Sequence, residues 1–457
     1  MRWRAPGFVA AVVCIAATAT LGAEPPAPAP PEPSAQSAVR ILRGFFAAED
    51  AGERARLAAE FGLAAPKSWD AVRALLHQAA TFPPLAPGRH ALKTEGDAVV
   101  PAVNYCLRVP AGYASDAGRA WPLVIGLHGT GGSGEGFLAT LEHLLGDDAA
   151  KHLIACPDAP EGGVYKVSRM MTEYPLRVLQ DVRRRANVDS DRVVLLGVSK
   201  GGYTVWGTIL FSPGEWAGAV PIASWPLTEA PWASPILYAP NVLNLAIQAH
   251  WGADDILPGQ KQGINTFARQ AAAELKRLGA DRFEPIEYLG QGHNLHLDAA
   301  RIRAFLASAR RSAFPDRFQF YFHRLWEGRA YFVRATVAAR EDFDFKVLPR
   351  VSVANKADLA QALCRTYQRL SFEVRGLRKA EENSLVVFAR NLKEVEIEIG
   401  AEQMDFSRPM TVLANGRTVL SGKQEIDWAE LLETARRTYD LDRLVARRLR
   451  CKVEVKP

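Results

Sequence analysis

The sequence predicts an α/β protein, a mostly parallel sheet flanked by helices, entered through a helical lead-in and followed by a β-rich accessory domain. Three observations carry this expectation. From Ala91 to Ser312, short apolar runs alternate with helix-periodic segments, as strands covered on both faces require. One run, Val193 to Val198, feeds Gly197-Val198-Ser199-Lys200-Gly201 and then an apolar helix from Tyr203 to Phe211. Beyond Phe314 the pattern changes to short alternating strands, with Asn415-Gly416 as a hairpin turn between Thr411-Val412-Leu413 and Thr418-Val419-Leu420.

The chain begins with Arg2 and Arg4 before an apolar segment from Phe8 to Leu21, and Leu21-Gly22-Ala23 supplies small residues ahead of Glu24. Residues 1–23 therefore read as an export signal, with an uncleaved anchor helix as the alternative. Loss of the signal removes Arg2 and Arg4 and lowers the formal charge from +6 to +4. The Pro- and Ala-rich stretch 24–37 is an extended linker. Residues 38–90 carry three segments with helical spacing, Ala38 to Ala48, Glu53 to Phe61 and Trp69 to Ala80, the last with Ser68 as N-cap; they are expected to pack on the catalytic domain.

Within 91–312 the expected strands are Val103–Val109, Trp121–Leu127, Leu153–Cys156, Arg192–Val198, Trp216–Ala223, Val242–Ala249 and Phe283–Leu289. The accessory domain, 315–457, is expected to hold six short strands and a helix over Trp428–Arg448, with Lys452–Val455 pairing back as a closing strand. Basic residues are interspersed with acids, and the Arg436–Arg450 cluster reads as a solvated helix face, which argues against nucleic-acid binding. Four cysteines outlast the signal, none in a CxxC spacing, so no zinc knuckle, metal or cofactor is implied. Cys106 and Cys156 fall in neighbouring parts of one sheet, without a pairing being fixed.

The chemistry resides in three loops. In Gly-x-Ser-x-Gly, a turn too sharp for side chains at Gly197 and Gly201 lifts Ser199 clear of the sheet beside a helix N-terminus. The loop His128-Gly129-Thr130-Gly131-Gly132-Ser133-Gly134 leaves an earlier strand and lets backbone N–H groups approach a developing oxyanion, each worth about 3 kcal/mol. Thr130 and Lys200 are the expected donors. A phosphate-binding reading of this loop lacks the terminal Gly-Lys-Ser/Thr. A serine nucleophile needs a base and an orienting carboxylate. His293, directly after Gly290-Gln291-Gly292, is preferred as base over His296; Asp254 is preferred as the acid, with Asp255 as its rival.

Residues 91–312 resemble the α/β-hydrolases, in the group of secreted esterases, polyhydroxybutyrate-depolymerase-like and prolyl-oligopeptidase-like enzymes. The likeness rests on the elbow from Asp191 to Trp206, on Ala219-Val220-Pro221-Ile222, and on the chain order Ser, Asp, His. Two residues depart from the pattern: Trp251 stands where the acid loop usually has glycine, and Lys200 replaces the commoner methionine or glutamine. The resemblance implies an exported serine hydrolase that forms an acyl-enzyme on small or polymeric esters. A peptidase and an inactive, polymer-binding hydrolase fold are the alternatives. Among Trp206, Trp225, Trp232 and Trp251, near the loops, Trp225 and Trp251 are the candidate substrate-pocket residues.

Overall fold

The computed structural model describes residues 35–113, 119–160, 168–228, 234–256, 262–345 and 359–453. The export signal, most of the linker and Trp232 lie outside the described residues.

The lead-in is three helices, α1 (Ala35–Ala47), α2 (Ala51–Ala64) and α3 (Trp69–Ala79). Asp50 caps α2 by accepting from the Glu53 N–H at 2.8 Å, while Ser68 holds the N-cap position of α3 with no side-chain cap bond. Next come β1 (Gly88–Lys93), β2 (Asn104–Val109), β3 (Trp121–Leu127), α4 (Gly134–Leu145), β4 (Leu153–Pro157), α5 (Arg169–Arg185), β5 (Val188–Val198) and α6 (Lys200–Phe211). The alternation continues through β6 (Gly218–Ile222), α7 (Ser234–Leu237), β7 (Ala246–Gly252), α8 (Ile264–Arg277), β8 (Phe283–Tyr288) and α9 (Ala299–Ser308).

These strands form one eight-stranded sheet in the order β1-β2-β4-β3-β5-β6-β7-β8, antiparallel at β1-β2-β4 and parallel from there on. This is the α/β-hydrolase fold. Both faces are covered, so β3 and β5 send alternate residues into different cores: Leu123, Ile125 and Leu195 pack with α5 and α6, Val124, Val194 and Leu196 with α4 and α9. Strand β1, unannounced by apolar alternation because it is an edge strand with four of its six residues exposed, extends the sheet beyond the expected start. The segment expected as a strand from Val242 opens in a 3-10 turn, and β7 starts only at Ala246.

The accessory part comprises β9 (Arg317–Phe322), β10 (Arg329–Ala330), β11 (Val333–Ala338), α10 (Leu359–Leu370), β12 (Phe372–Lys379), β13 (Ser384–Arg390), β14 (Leu392–Gly400), β15 (Met410–Ala414), β16 (Arg417–Gly422), α11 (Trp428–Thr438) and β17 (Val445–Lys452). They make two sheets, β10-β11-β14-β17 and β16-β15-β13-β12-β9. Asn415 and Gly416 both adopt positive φ, 47° and 82°, as the tight hairpin demands. The expected helix to Arg448 is corrected: α11 stops at Thr438, where Tyr439 turns left-handed, and Arg447 to Lys452 pair with β14. The basic cluster therefore divides between a helix end and a strand, where Arg448 meets Glu396 and Glu398 across the ladder.

The three parts are knitted together. Leu42, Phe45, Phe61 and Leu76 of the lead-in share a core with Leu431, Leu432 and Ala435 of α11, so the lead-in helices pack chiefly on the accessory part and not, as expected, on the catalytic sheet. The aromatic residues of β9 and β12 join the same core as β3 and β5. Buried Asn241 bridges them in backbone fashion, donating to the carbonyls of Leu210 (2.9 Å) and Tyr321 (2.8 Å) and accepting from the Tyr321 N–H at 2.8 Å. All four cysteines of the described residues are free; Cys106 and Cys156 stand opposite each other across β2 and β4.

A buried electrostatic tie is made by Asp440, just after α11, which accepts from Arg311 Nη2 at 2.9 Å and lies 3.3 Å from Arg183 of α5. Burial alone would raise the Asp440 carboxyl, yet Arg183 and Arg311 outweigh it and hold the group far below the usual carboxylate range. The Arg311 side chain is 0% exposed and that of Asp440 3%. Removing one partner of such a pair leaves an uncompensated buried charge. Asp440→Asn should therefore destabilise the protein by about 3–5 kcal/mol in denaturant unfolding; a loss below about 1 kcal/mol, the range of solvent-screened pairs, would show that the contact is not buried in solution.

Candidate active site

Ser199 sits between β5 and α6 at φ 53°, ψ −116°, a conformation that L-residues rarely adopt. Close packing imposes it. A Cβ at Gly197 would lie 2.5 Å from the Gly201 carbonyl oxygen, and one at Gly201 would lie 2.1 Å from that of Leu127, so the turn tolerates no side chain at either position. The Ser199 N–H is anchored to the Ile222 carbonyl at the end of β6, at 2.9 Å. The hydroxyl is thereby presented at the carboxyl end of the sheet.

His293 reaches this hydroxyl from the loop after β8. Its Nε2 lies 2.9 Å from Ser199 Oγ, and its Nδ1 lies 3.0 Å and 3.2 Å from the two carboxylate oxygens of Asp255. With Nδ1–H donating to the carboxylate, Nε2 presents its lone pair to the serine O–H. The Asp255 hydrogen bond pushes the imidazole above its ordinary value, and partial burial acts against that rise. His296 takes no part in this chain; its backbone N–H donates to Gln291 Oε1 at 2.8 Å.

The preference for Asp254 is corrected here. The Asp254 N–H is held by the Gln291 carbonyl at 2.9 Å and its side chain is exposed, whereas the Asp255 side chain is 4% exposed and faces the imidazole. The loop turns inward one residue later than spacing suggested. Gly252 is wedged against the His293 loop, where an added Cβ would meet the Gly292 carbonyl oxygen at 2.2 Å, and Asp255 N–H closes a turn onto the Gly252 carbonyl at 3.2 Å. Asn265, unremarked in the sequence, ties the loop to α8 by donating to the Ala253 carbonyl at 2.6 Å.

The glycine-rich loop after β3 lies against the elbow: a Cβ on Gly129 would sit 3.5 Å from Ser199 Cβ. Thr130 follows in a turn closed by Gly132 N–H to the Gly129 carbonyl, at 3.2 Å. Lys200 opens α6, whose first-turn N–H groups point out of the helix N-terminus. His128 secures the loop in one tautomer, its Nε2 accepting from the Ala159 N–H at 3.1 Å and its Nδ1–H donating to the Gly129 carbonyl at 2.7 Å. Asp158 accepts from Gly134 N–H at 2.7 Å at the loop's other end. A cavity of about 350 Å³ opens along residues His128 to Ser133 and reaches Phe137 and Thr140.

Neither tryptophan singled out lines that cavity. Trp251 is a packing residue of β7, 3% exposed, with its indole N–H on Glu287 at 3.0 Å. Trp225 is 7% exposed, stacks on Phe267 at 4.4 Å and meets edge-on Tyr203, one turn into α6 from Ser199. Trp206 is buried on α6. Among the described residues no cluster of three or more His, Cys, Asp or Glu could hold a metal ion, and no helix is long and apolar enough to cross a membrane.

No protein-family model matches the chain, and no curated protein does. Among solved structures it is similar to a thermostable esterase, with 20% identity over 49% of this chain and 63% of that one and a TM-score of 0.39. It is similar also to a ferulic acid esterase, with 14% identity over 49% of this chain and 97% of that one and a TM-score of 0.38. An S-formylglutathione hydrolase from Agrobacterium tumefaciens shows 14% identity over 50% of this chain and 94% of that one, with a TM-score of 0.37.

The two aspartates can be told apart without any substrate. In an NMR titration of the His293 imidazole, Asp255→Asn should move the midpoint down toward the ordinary value of about 6.5, and Asp254→Asn should leave it within a few tenths. A shift produced by Asp254→Asn instead would restore that residue as the partner.

Proposed function

Because an α/β-hydrolase sheet here carries a hydrogen-bonded Asp255–His293–Ser199 chain beside a glycine-rich loop, we propose that the protein is an exported serine hydrolase acting on carboxylic esters. The observation that carries this reading is the unbroken chain of contacts at 3.0 and 2.9 Å from a buried carboxylate through imidazole to a strained, raised hydroxyl. An imidazole held in this tautomer has one task open to it on the serine side, to accept a proton. Export is inferred from the basic, apolar leader of residues 1–23.

In the proposed reaction Ser199 Oγ attacks the ester carbonyl carbon while His293 Nε2 takes the hydroxyl proton. Asp255 steadies the resulting imidazolium. The carbonyl electrons move onto oxygen, where the N–H groups of Thr130 and Lys200 receive the negative charge. Collapse expels the alcohol, protonated by His293, and leaves an acyl-serine. Water then attacks, its proton passing to His293, and the second tetrahedral species releases the acid with Ser199 restored. An alkoxide is a better leaving group than an amide anion, so ester turnover asks less of His293 as an acid than peptide turnover does.

A fluorophosphonate probe should label the mature protein, and Ser199→Ala and His293→Ala should each abolish labelling and lower kcat/KM on p-nitrophenyl acyl esters by at least about 10³-fold. Failure of the wild type to label beside a reactive control hydrolase would remove the reading; faster turnover of aminoacyl anilides than of esters would replace it with the peptidase. The pH dependence has a fixed sign. Only neutral His293 is a base and Asp255 raises its pKa, so kcat/KM should fall on acidification through a midpoint above about 6.5. In Asp255→Asn that midpoint should move to lower pH with a loss of roughly 10⁴ in kcat.

A further inference from the structure

A cavity of about 360 Å³, lined by none of the residues of the Ser199 site, opens between α5 of the catalytic sheet and the sheet and helix formed by β11, β14, β17 and α11. Seven arginines line it against four acids. Three of the arginines answer all four acids: Arg183 meets Glu215 at 3.3 Å and Asp440 at 3.3 Å, Arg443 meets Glu398 at 2.7 Å, and Arg448 meets Glu396 at 3.3 Å and Glu398 at 3.2 Å. The side chains of the other four, Arg184, Arg329, Arg334 and Arg437, make no hydrogen bond or ion pair with any described residue. Arg184, Arg334 and Arg437 are exposed at the mouth and Arg329 is half-buried within.

Surface arginines without partners are ordinary; this arrangement is not. Arg329 and Arg334 are direct cross-strand partners in the β10–β11 hairpin, where like charges opposite one another oppose pairing. Both face the same cavity. Burial lowers the Arg329 guanidinium from its usual range; Glu173 and Glu215 work against that fall, and Arg334 and Arg169 add smaller repulsions to it. Two planar forks side by side, with further arginines at the rim, offer more charge-assisted donors than the protein's own carboxylates consume.

We propose that this cavity is a binding site for a multiply charged phosphoryl or sulfuryl group, gripped between Arg329 and Arg334. The group's oxygens relieve the cross-strand repulsion, and Arg184 and Arg437 close over it from α5 and α11. Because its walls come from both the catalytic and the accessory parts, occupancy joins the two more tightly. The cavity has room for more than a lone tetrahedral anion, so the same grip serves a free anion or one carried on a sugar. The site is independent of the hydrolase reading.

The test is calorimetric titration of the mature protein with pyrophosphate, inorganic sulfate and glucose 6-phosphate at ionic strength held constant with chloride. Saturable binding is expected, with a rise in Tm at saturation. Arg329→Gln and Arg334→Gln should each weaken binding at least about tenfold, while Ser199→Ala binds as the wild type does. Without ligand, Arg334→Gln should unfold at the same or a higher temperature than the wild type, as relief of repulsion at an exposed position requires. Tighter binding of glucose 6-phosphate than of sulfate assigns a sugar-borne anion, and the reverse a free one. No saturable binding of any probe at matched ionic strength, or undiminished binding by both arginine variants, would overturn the proposal.

Discussion

The geometry of the site depends on one steric constraint, the contact of the β5–α6 turn with the end of β3. At Gly201 the backbone passes so close to the Leu127 carbonyl that an added methyl would lie 2.1 Å from its oxygen. That contact forces Ser199 into positive φ, brings the glycine-rich loop to its side, and leaves the Ser199 N–H to find the Ile222 carbonyl of the next strand. Three successive strands thus meet at a single residue. The strain is sustained because parallel strands buried on both faces cannot shift to relieve it.

The triad geometry depends in turn on two loops that lock each other. The Asp255 loop and the His293 loop are joined through Asp254 N–H to the Gln291 carbonyl and through the close approach of Gly252 to Gly292. This mutual support sets the imidazole, 45% exposed though it is, between a buried carboxylate and the serine. A half-exposed histidine gains its orientation from the carboxylate behind it, since water competes for every other face.

Outside the site, burial and charge knit three sequence regions into one body. The lead-in helices pack on one another through their apolar residues, and α11 completes the core they form. Near this contact His77 lies between Asn187 Oδ1 at 2.6 Å and Asp442 Oδ1 at 2.9 Å, with an acceptor at each ring nitrogen. Burial works against its charged form, but Asp442 and Asn187 overcome that and raise its pKa. The lead-in, catalytic and accessory parts therefore meet at one imidazole. Asp442 also accepts from Ser190 N–H at 2.7 Å, and Asp440 gathers Arg311 and Arg183, the second of which lines the arginine cavity. The accessory part is thus bound to the catalytic part by saturated charges at the centre, with unsaturated ones left at the rim.

The sequence by itself determined the chemistry and the sheet. Gly197-x-Ser199-x-Gly201, the glycine-rich loop and the Gln291-Gly292-His293 turn are local patterns whose meaning lies within a few residues, and the buried strands are apolar whatever they pair with. Tertiary structure alone decided between Asp254 and Asp255, because the choice turns on how Gly252 packs against a loop about forty residues away, which no local spacing records. It decided that Trp251 is packing, through a cross-strand bond to Glu287, and that the basic stretch after Thr438 ends in a strand, since Arg447 to Lys452 pair with β14 and Arg448 meets its glutamates. It also decided that Arg329 and Arg334 oppose each other, a consequence of hairpin register. Local chemistry is written in the chain; which neighbour a side chain meets is written only in the packing.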